Sequence, residues 1–192
     1  LGCNFYETFK PNTTWRDTLE DAKNKLANGE SPEYIFEEVR ELNNGLFLVR
    51  LLGRWNILNG KSLIRNSWYD WVGHFHEGFA SVWIKNKGWN FINRDGKEIC
   101  DRWYSHVWNF KEGFAKVKDE NKGWNFINRE GNELCDRWYD EVSEFSEGFA
   151  VVEDENEGET FINYDGKEVF DRWYDYAYKF SEGFAMIGVY NK

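Results

Sequence analysis

Cysteine is scarce in this chain, with three residues, Cys3, Cys100 and Cys135, among 192. So small and odd a number excludes a disulfide framework, and unpaired thiols lean towards a reducing, cytoplasmic setting rather than export. No apolar run of about 18 residues is present, which excludes a helical membrane span, and the first residues lack the basic and apolar regions of an export signal. Leu1-Gly2-Cys3 resembles the tail of a lipoprotein leader, but with no apolar stretch before it the better reading is a segment boundary. Basic residues are outnumbered, 24 against 34 acidic, for a net charge of −10. Phosphates would be repelled, so nucleic acid is not an expected partner.

Signatures of catalysis are missing too. There is no Gly-x-Ser-x-Gly elbow, and the Asp-Gly turns lack both the ligand spacing of a calcium loop and the Lys-Ser/Thr of a phosphate loop. His74 and His76 alternate as two ligands on one strand would, and His106 lies about one repeat on, but their counterparts elsewhere are Asn109, Lys111 and Glu141. Nothing in the pattern demands imidazole, and a zinc site wants three or four placed ligands. The expectation is a protein that is not an enzyme, with no metal and no cofactor.

Proline occurs twice and methionine once, whereas aromatic residues make up 19% of the chain, roughly double ordinary usage. A repeat consumes them. Glu-Gly-Phe-Ala begins at Glu77, Glu112, Glu147 and Glu182, a period of 35 residues without insertion. Such a period signals stacked supersecondary units, each too small to bury its own apolar face. The units run 43–77, 78–112, 113–147 and 148–182, with a partial one at 183–192; the first is degenerate.

Within a unit, Phe79–Ile84 reads as a strand, Asn86-Lys87-Gly88 as a turn and Trp89–Asn93 as the return strand of a hairpin. Arg94-Asp95-Gly96 is a second turn, and Lys97–Cys100 a third short strand. Tyr104, Val107 and Phe110 are spaced by three, which suits one helical turn, with a bulged fourth strand as the alternative. Phe79, Ala80, Val82, Ile92, Trp103, Tyr104 and Phe110 have similar counterparts in most units and form the expected core. Cys100 and Cys135 occupy a slot that holds Phe170 in the next unit, so they are expected to be buried thiols. Asp101-Arg102-Trp103 recurs at 136–138 and 171–173, and its arginine is expected to link units and stack on rings.

Residues 1–42 do not repeat. Asn12–Gly29 has a threonine cap, early acids, late lysines and a closing glycine; Ser31–Gly45 has a serine cap, proline in the first turn and a closing glycine. Two helices are expected, as a cap over the first unit.

Phe75-His76-Glu77-Gly78-Phe79-Ala80, Gly88–Ile99 and Trp103–Gly113, repeated through residue 185, resemble the WG (KWG) family of bacterial tandem repeats. The resemblance covers about 150 residues and implies a mainly β array, open and superhelical, with a closed propeller as the alternative. It implies a binding or scaffold module without shared catalytic residues. Asn90 and Asn125 depart from the pattern, standing where the family's glycine follows tryptophan.

Positions that vary between units while their neighbours stay fixed are the expected surface. Trp71, Trp83, His106 and Trp108 are the candidate binding face, with the tryptophans as aromatic anchors. The array is polarised: units 43–77 and 78–112 each carry +2, against −4 for 113–147 and −7 for 148–182. Glu153, Asp154, Glu155 and Glu157 form the candidate acidic partner surface. A protein or peptide partner is the first expectation, and a cell-wall glycan stacked on exposed rings the second.

Overall fold

A computed structural model describes residues 15–65 and 67–190 of the chain. The fold is mainly β, 45% strand against 9% helix, in several small antiparallel sheets, and among the described residues none closes into a barrel. The expected threonine cap and Leu1-Gly2-Cys3 lie outside the described residues. Two compact units divide the chain, Leu1–Tyr69 and Asp70–Lys192.

The first unit opens with helix α1 (Trp15–Ala27), which carries Asp17 in its first turn and Lys25 in its last. Leu19, Ala22 and Leu26 share one face of α1 and pack on Phe36, Val49, Leu51 and Leu58. The second expected helix is corrected. Only one turn forms, α2 (Pro32–Ile35), and Phe36 turns extended at φ −105° and ψ 147°. The chain then continues as strand β1 (Glu38–Glu41), antiparallel to β2 (Leu46–Leu51), with β3 (Arg54–Asn59) and β4 (Ser62–Leu63) completing a four-stranded sheet. The reason is tertiary: β2 would otherwise present an open edge, and pairing Val39 with Val49 closes it. The same pairing recurs as Val72 with Val82, Val107 with Val117 and Val142 with Val152. Glu37–Leu46 is therefore a degenerate repeat segment, aligned with Asp140–Phe149, and repetition begins earlier than the Glu-Gly signature reveals.

The second unit repeats one three-stranded sheet. β5 (Trp71–His76), β6 (Phe79–Ile84) and β7 (Gly88–Asn93) form the first. β8 (His106–Val107), β9 (Ala115–Asp119) and β10 (Gly123–Ile127) form the second, and β11 (Glu141–Val142), β12 (Phe149–Asp154) and β13 (Gly158–Asn163) the third. β14 (Tyr176–Ala177) and β15 (Ile187–Gly188) make a final pair.

The helical turn expected at Tyr104–Phe110 is a β strap instead. Tyr104 exchanges both backbone hydrogen bonds with Trp89 of its own hairpin, at 2.8 Å each, and the next residues cross to the following sheet. There Ser105 N–H donates to Lys118 O and Trp108 N–H to Lys116 O. The three-residue spacing reflects this handover rather than a helix. Lys97–Cys100 keeps only the Ile92–Glu98 bridge of its expected strand. Each repeat demands glycine where the strap meets the hairpin: Gly88, Gly123 and Gly158 have φ +103°, +97° and +101°, and a Cβ there would lie 2.3 Å from Tyr104, Tyr139 or Tyr174 O.

Sheets stack because each has two apolar faces. Phe91, Tyr104 and Phe110 pack on Ala115, Val117 and Ile127 of the following sheet, and Phe126, Tyr139 and Phe145 on Ala150, Val152 and Ile162. Ala80, Val82, Ile92, Tyr104 and Phe110 are buried as the core pattern requires, whereas Phe79 and Trp103 are only half-buried. In the cysteine slot, Cys135 is buried and Cys100 half-buried, but Phe170 is 40% exposed. Within the array the slot faces a following turn, as Gly131 over Cys100 shows.

Candidate functional site

One cross-strand row at a fixed register carries the variation between repeats. In the first sheet of the second unit, Trp71 pairs with Trp83 and Trp83 with Trp89. The equivalent row in the second sheet is His106, Lys118 and Trp124. In the third it is Glu141, Glu153 and Glu159. Strand alternation puts each row on the face that carries Phe91, Phe126 or Phe161, beside the stacked core.

Trp71 and Trp83 thus come together, with Trp71 45% exposed and Trp83 half-buried. Trp89 joins them, packing edge-on to Trp71 at 5.2 Å and tilted to Trp83 at 6.4 Å. It escaped the sequence reading because Trp-Asn recurs in the next repeat and looked like framework. With Asp70 the three rings line a cavity of about 410 Å³. Gly73 makes room for Trp71, since a Cβ there would lie 2.8 Å from the indole.

His106 and Trp108 lie in the next row's neighbourhood, both exposed. Trp108 packs edge-on to Trp124 at 5.1 Å. Lys116 Nζ sits 4.8 Å from the Trp108 ring and 5.3 Å from Trp124, and Lys118 Nζ 5.0 Å from Trp124. Burial holds the Lys116 ammonium below its usual pKa, against the opposing pull of Glu144 and Glu141.

The acidic stretch divides by partner. Asp154 and Glu157 bind Arg137 at 2.5 and 3.2 Å, and Asp154 also accepts the Asn156 and Glu157 N–H groups. Glu155 is exposed. Glu153 faces the other way, into its row, where burial first and then Glu159, Glu141 and Asp140 raise its carboxyl pKa. These glutamates and Tyr178, Ala177 and Lys179 line a cavity of about 420 Å³. His74 and His76 are exposed.

The arginine of the recurring Asp-Arg-Trp step does link repeats. Arg102 pairs with Glu133 and, at 2.6 Å, with Asp119, and lies 4.9 Å over Trp138 of the next repeat. Arg137 repeats this over Trp173 at 5.3 Å.

Two further polar devices were hidden in the framework. Glu77, Glu112 and Glu147 all have positive φ, and each carboxylate accepts two backbone N–H groups one repeat later. Glu77 takes Glu112 and Gly113, Glu112 takes Glu147 and Gly148, and Glu147 takes Glu182 and Gly183. Arg129 adds a bond to Glu77, and the Tyr164 hydroxyl donates to Glu112, both at 2.8 Å. The available signal was a charged residue kept in every copy although it lies at the surface. The second device is the residue after tryptophan. Asn125 is fully buried, donating to Cys135 O at 2.9 Å and accepting from Phe126 and Cys135 N–H at 2.7 and 3.1 Å. Asn56 and Asn90 make similar bonds to Arg65 O and Cys100 O, so the departure from the family's glycine ties the segment before the strap to the hairpin.

The model of the WG containing repeat matches residues 89–122, 124–157 and 160–192. Comparison with curated proteins gives no match. Among solved structures, the computationally designed Ika8 protein is similar over 79% of this chain and 55% of its own, at 12% identity and TM-score 0.40. The designed Ika4 protein is similar over 66% and 91% respectively, at 12% identity and TM-score 0.35. BamB from Moraxella catarrhalis is similar over 69% and 48%, at 10% identity and TM-score 0.36. The chain therefore spans about half the length of the Ika8 and BamB chains, and likeness at this level carries no inference about it.

Proposed function

Because this chain belongs to the family of WG-containing repeats, we propose that it is a non-enzymatic binding module that holds an extended segment of a partner protein. The observation that supports this reading is the contrast between a constant core and three chemically distinct rows at one register: tryptophans, then histidine, lysine and tryptophan, then glutamates. Stacked repeats hold their framework fixed and vary the face that meets a ligand. A partner segment with apolar or aromatic residues towards Trp71 and Trp83 and basic residues towards Glu153 complements this gradient. Within Trp71–Gly188 we read the array as open. Among the described residues the final β14–β15 pair makes no ladder with β5–β6–β7.

The test is selection from a random peptide display library on the intact chain, with Trp71→Ala and Glu153→Lys variants as counter-selections. Enriched sequences that carry aromatic and basic residues, and that each variant loses separately, support the reading. Enrichment untouched by either variant would show that the partner lies elsewhere. The exposed faces of Trp71 and Trp108 also favour a second reading, stacking on a glycan. It is set aside if cell-wall oligosaccharides leave the indole NMR signals unmoved.

A further inference from the structure

The rows of the first two sheets differ in one respect that bears on ligand chemistry. In the His106 row the chain supplies its own cations: the Lys116 and Lys118 ammonium groups lie within 5.3 Å of the Trp108 and Trp124 ring centres. By register, the equivalents of these lysines in the sheet before are Ser81 and Trp83. Among the described residues no lysine or arginine stacks on Trp71, Trp83 or Trp89. Their rings instead meet at 72° and 45° and line, with Asp70, one open cavity of about 410 Å³. Asp70 accepts the Lys85 N–H at 2.8 Å, which ties the start of the Trp71 strand to the end of the Trp83 strand beside the rings. Gly73, where the next repeat has Trp108, leaves the space that the Trp71 indole fills.

We propose that the Trp71–Trp83–Trp89 row binds an alkylated ammonium group, the head of a methylated lysine side chain in the partner segment. The proposal rests on the peptide-binding reading and names the chemistry of one of its subsites. Aromatic faces attract a cation through their quadrupole. An alkylated ammonium sheds water more readily than a bare one and meets the rings with apolar surface as well as charge. Three tryptophans set at angles supply both terms. The third row, with three glutamates and no ring, suits unmodified basic residues of the same segment.

The experiment titrates the intact chain with tetramethylammonium chloride, Nε-trimethyllysine, choline and the neutral carbon isostere of choline. Ionic strength is held constant with sodium chloride, and binding is read by calorimetry and indole N–H chemical shifts. The expected result is saturable binding of tetramethylammonium and trimethyllysine, at least tenfold weaker binding of the neutral isostere, and at least fivefold loss in Trp71→Ala. Trp83→Lys gives this row the lysine that the next sheet already accommodates, so it should fold while its own ammonium abolishes binding. Equal affinity for the neutral isostere, no saturation, or wild-type binding by both variants would overturn the proposal. A tenfold preference for choline over trimethyllysine would overturn the lysine assignment and point to a headgroup. Failure here alongside successful peptide selection would remove the ammonium subsite and leave the broader reading standing.

Discussion

Glu112 offers a quantitative test of the carboxylate ladder. Its φ is 52°, a left-handed conformation that costs a non-glycine residue about 1–2 kcal/mol. Its carboxylate accepts from Glu147 and Gly148 N–H at 3.3 Å each and from the Tyr164 hydroxyl at 2.8 Å. Hydrogen bonds to a charged group are worth about 1.5–3 kcal/mol when sheltered. Here two are long and water competes, so the set contributes about 2 kcal/mol rather than a multiple of that. Glu112→Ala removes the bonds and keeps most of the strain, which predicts a loss of about 2 kcal/mol and a fall in Tm of roughly 4–8 °C. Glu112→Gly removes the bonds but relieves about 1 kcal/mol of strain, so it should lose only about half as much. The assay is urea unfolding at neutral pH. A glycine variant more stable than the parent would refute the ladder, because the glutamate would then be only a strained turn residue.

The ladder also fixes a sign with pH. Burial works to raise the Glu112 carboxyl, but the bonds from Tyr164, Gly148 and Glu147 outweigh it and hold the pKa below the usual range. A lowered folded pKa means stabilisation that is complete above the unfolded value and lost as pH falls through the folded one. The difference between parent and Glu112→Ala should therefore shrink in acid.

Other outcomes follow from single contacts. Glu153→Gln removes like charges opposite Glu141 and Glu159, and should stabilise by about 0.5–1 kcal/mol at neutral pH. Because burial and its neighbours raise the folded pKa, that gain should vanish as pH falls and Glu153 protonates, as paired thermal melts would reveal. Asn125→Ala leaves the buried Cys135 carbonyl and the Phe126 and Cys135 N–H groups without their partner. It should cost about 2–4 kcal/mol by urea unfolding, with Asn125→Asp failing to restore it. Gly123→Ala brings a Cβ to 2.3 Å from Tyr139 O at a φ of +97°, and should cost more than about 3 kcal/mol. The Cys135 thiol is pushed up to about 12 by burial, then by Asp136 and Glu168, so thiol reagents should modify it only at the unfolding rate.

Periodicity was legible because it is a property of the chain alone. Glu-Gly-Phe-Ala every 35 residues, alternating apolar positions and Gly turns specify stacked hairpins whatever their final arrangement. The aperiodic tryptophans were legible for the same reason, as exceptions to a rule the sequence states four times.

Only the tertiary structure decided which elements the ambiguous segments became. Glu38–Glu41 reads as helix between the Ser31 cap and the closing Gly45, yet it pairs with β2 because an open strand edge costs more than a local preference returns. Tyr104–Phe110 shows a helical spacing because it leaves one sheet for the next, and spacing cannot distinguish that handover from a turn of helix. In the sequence the glutamates of the Glu-Gly turns only mark the period; it is the fold that brings two N–H groups of the next repeat within their reach. The tryptophan row itself joins residues from three strands, Trp71, Trp83 and Trp89. The sequence determined that such a face exists, through local alternation and repetition. Which side chains share it is set by pairing register between strands, a long-range quantity that no single stretch of chain contains.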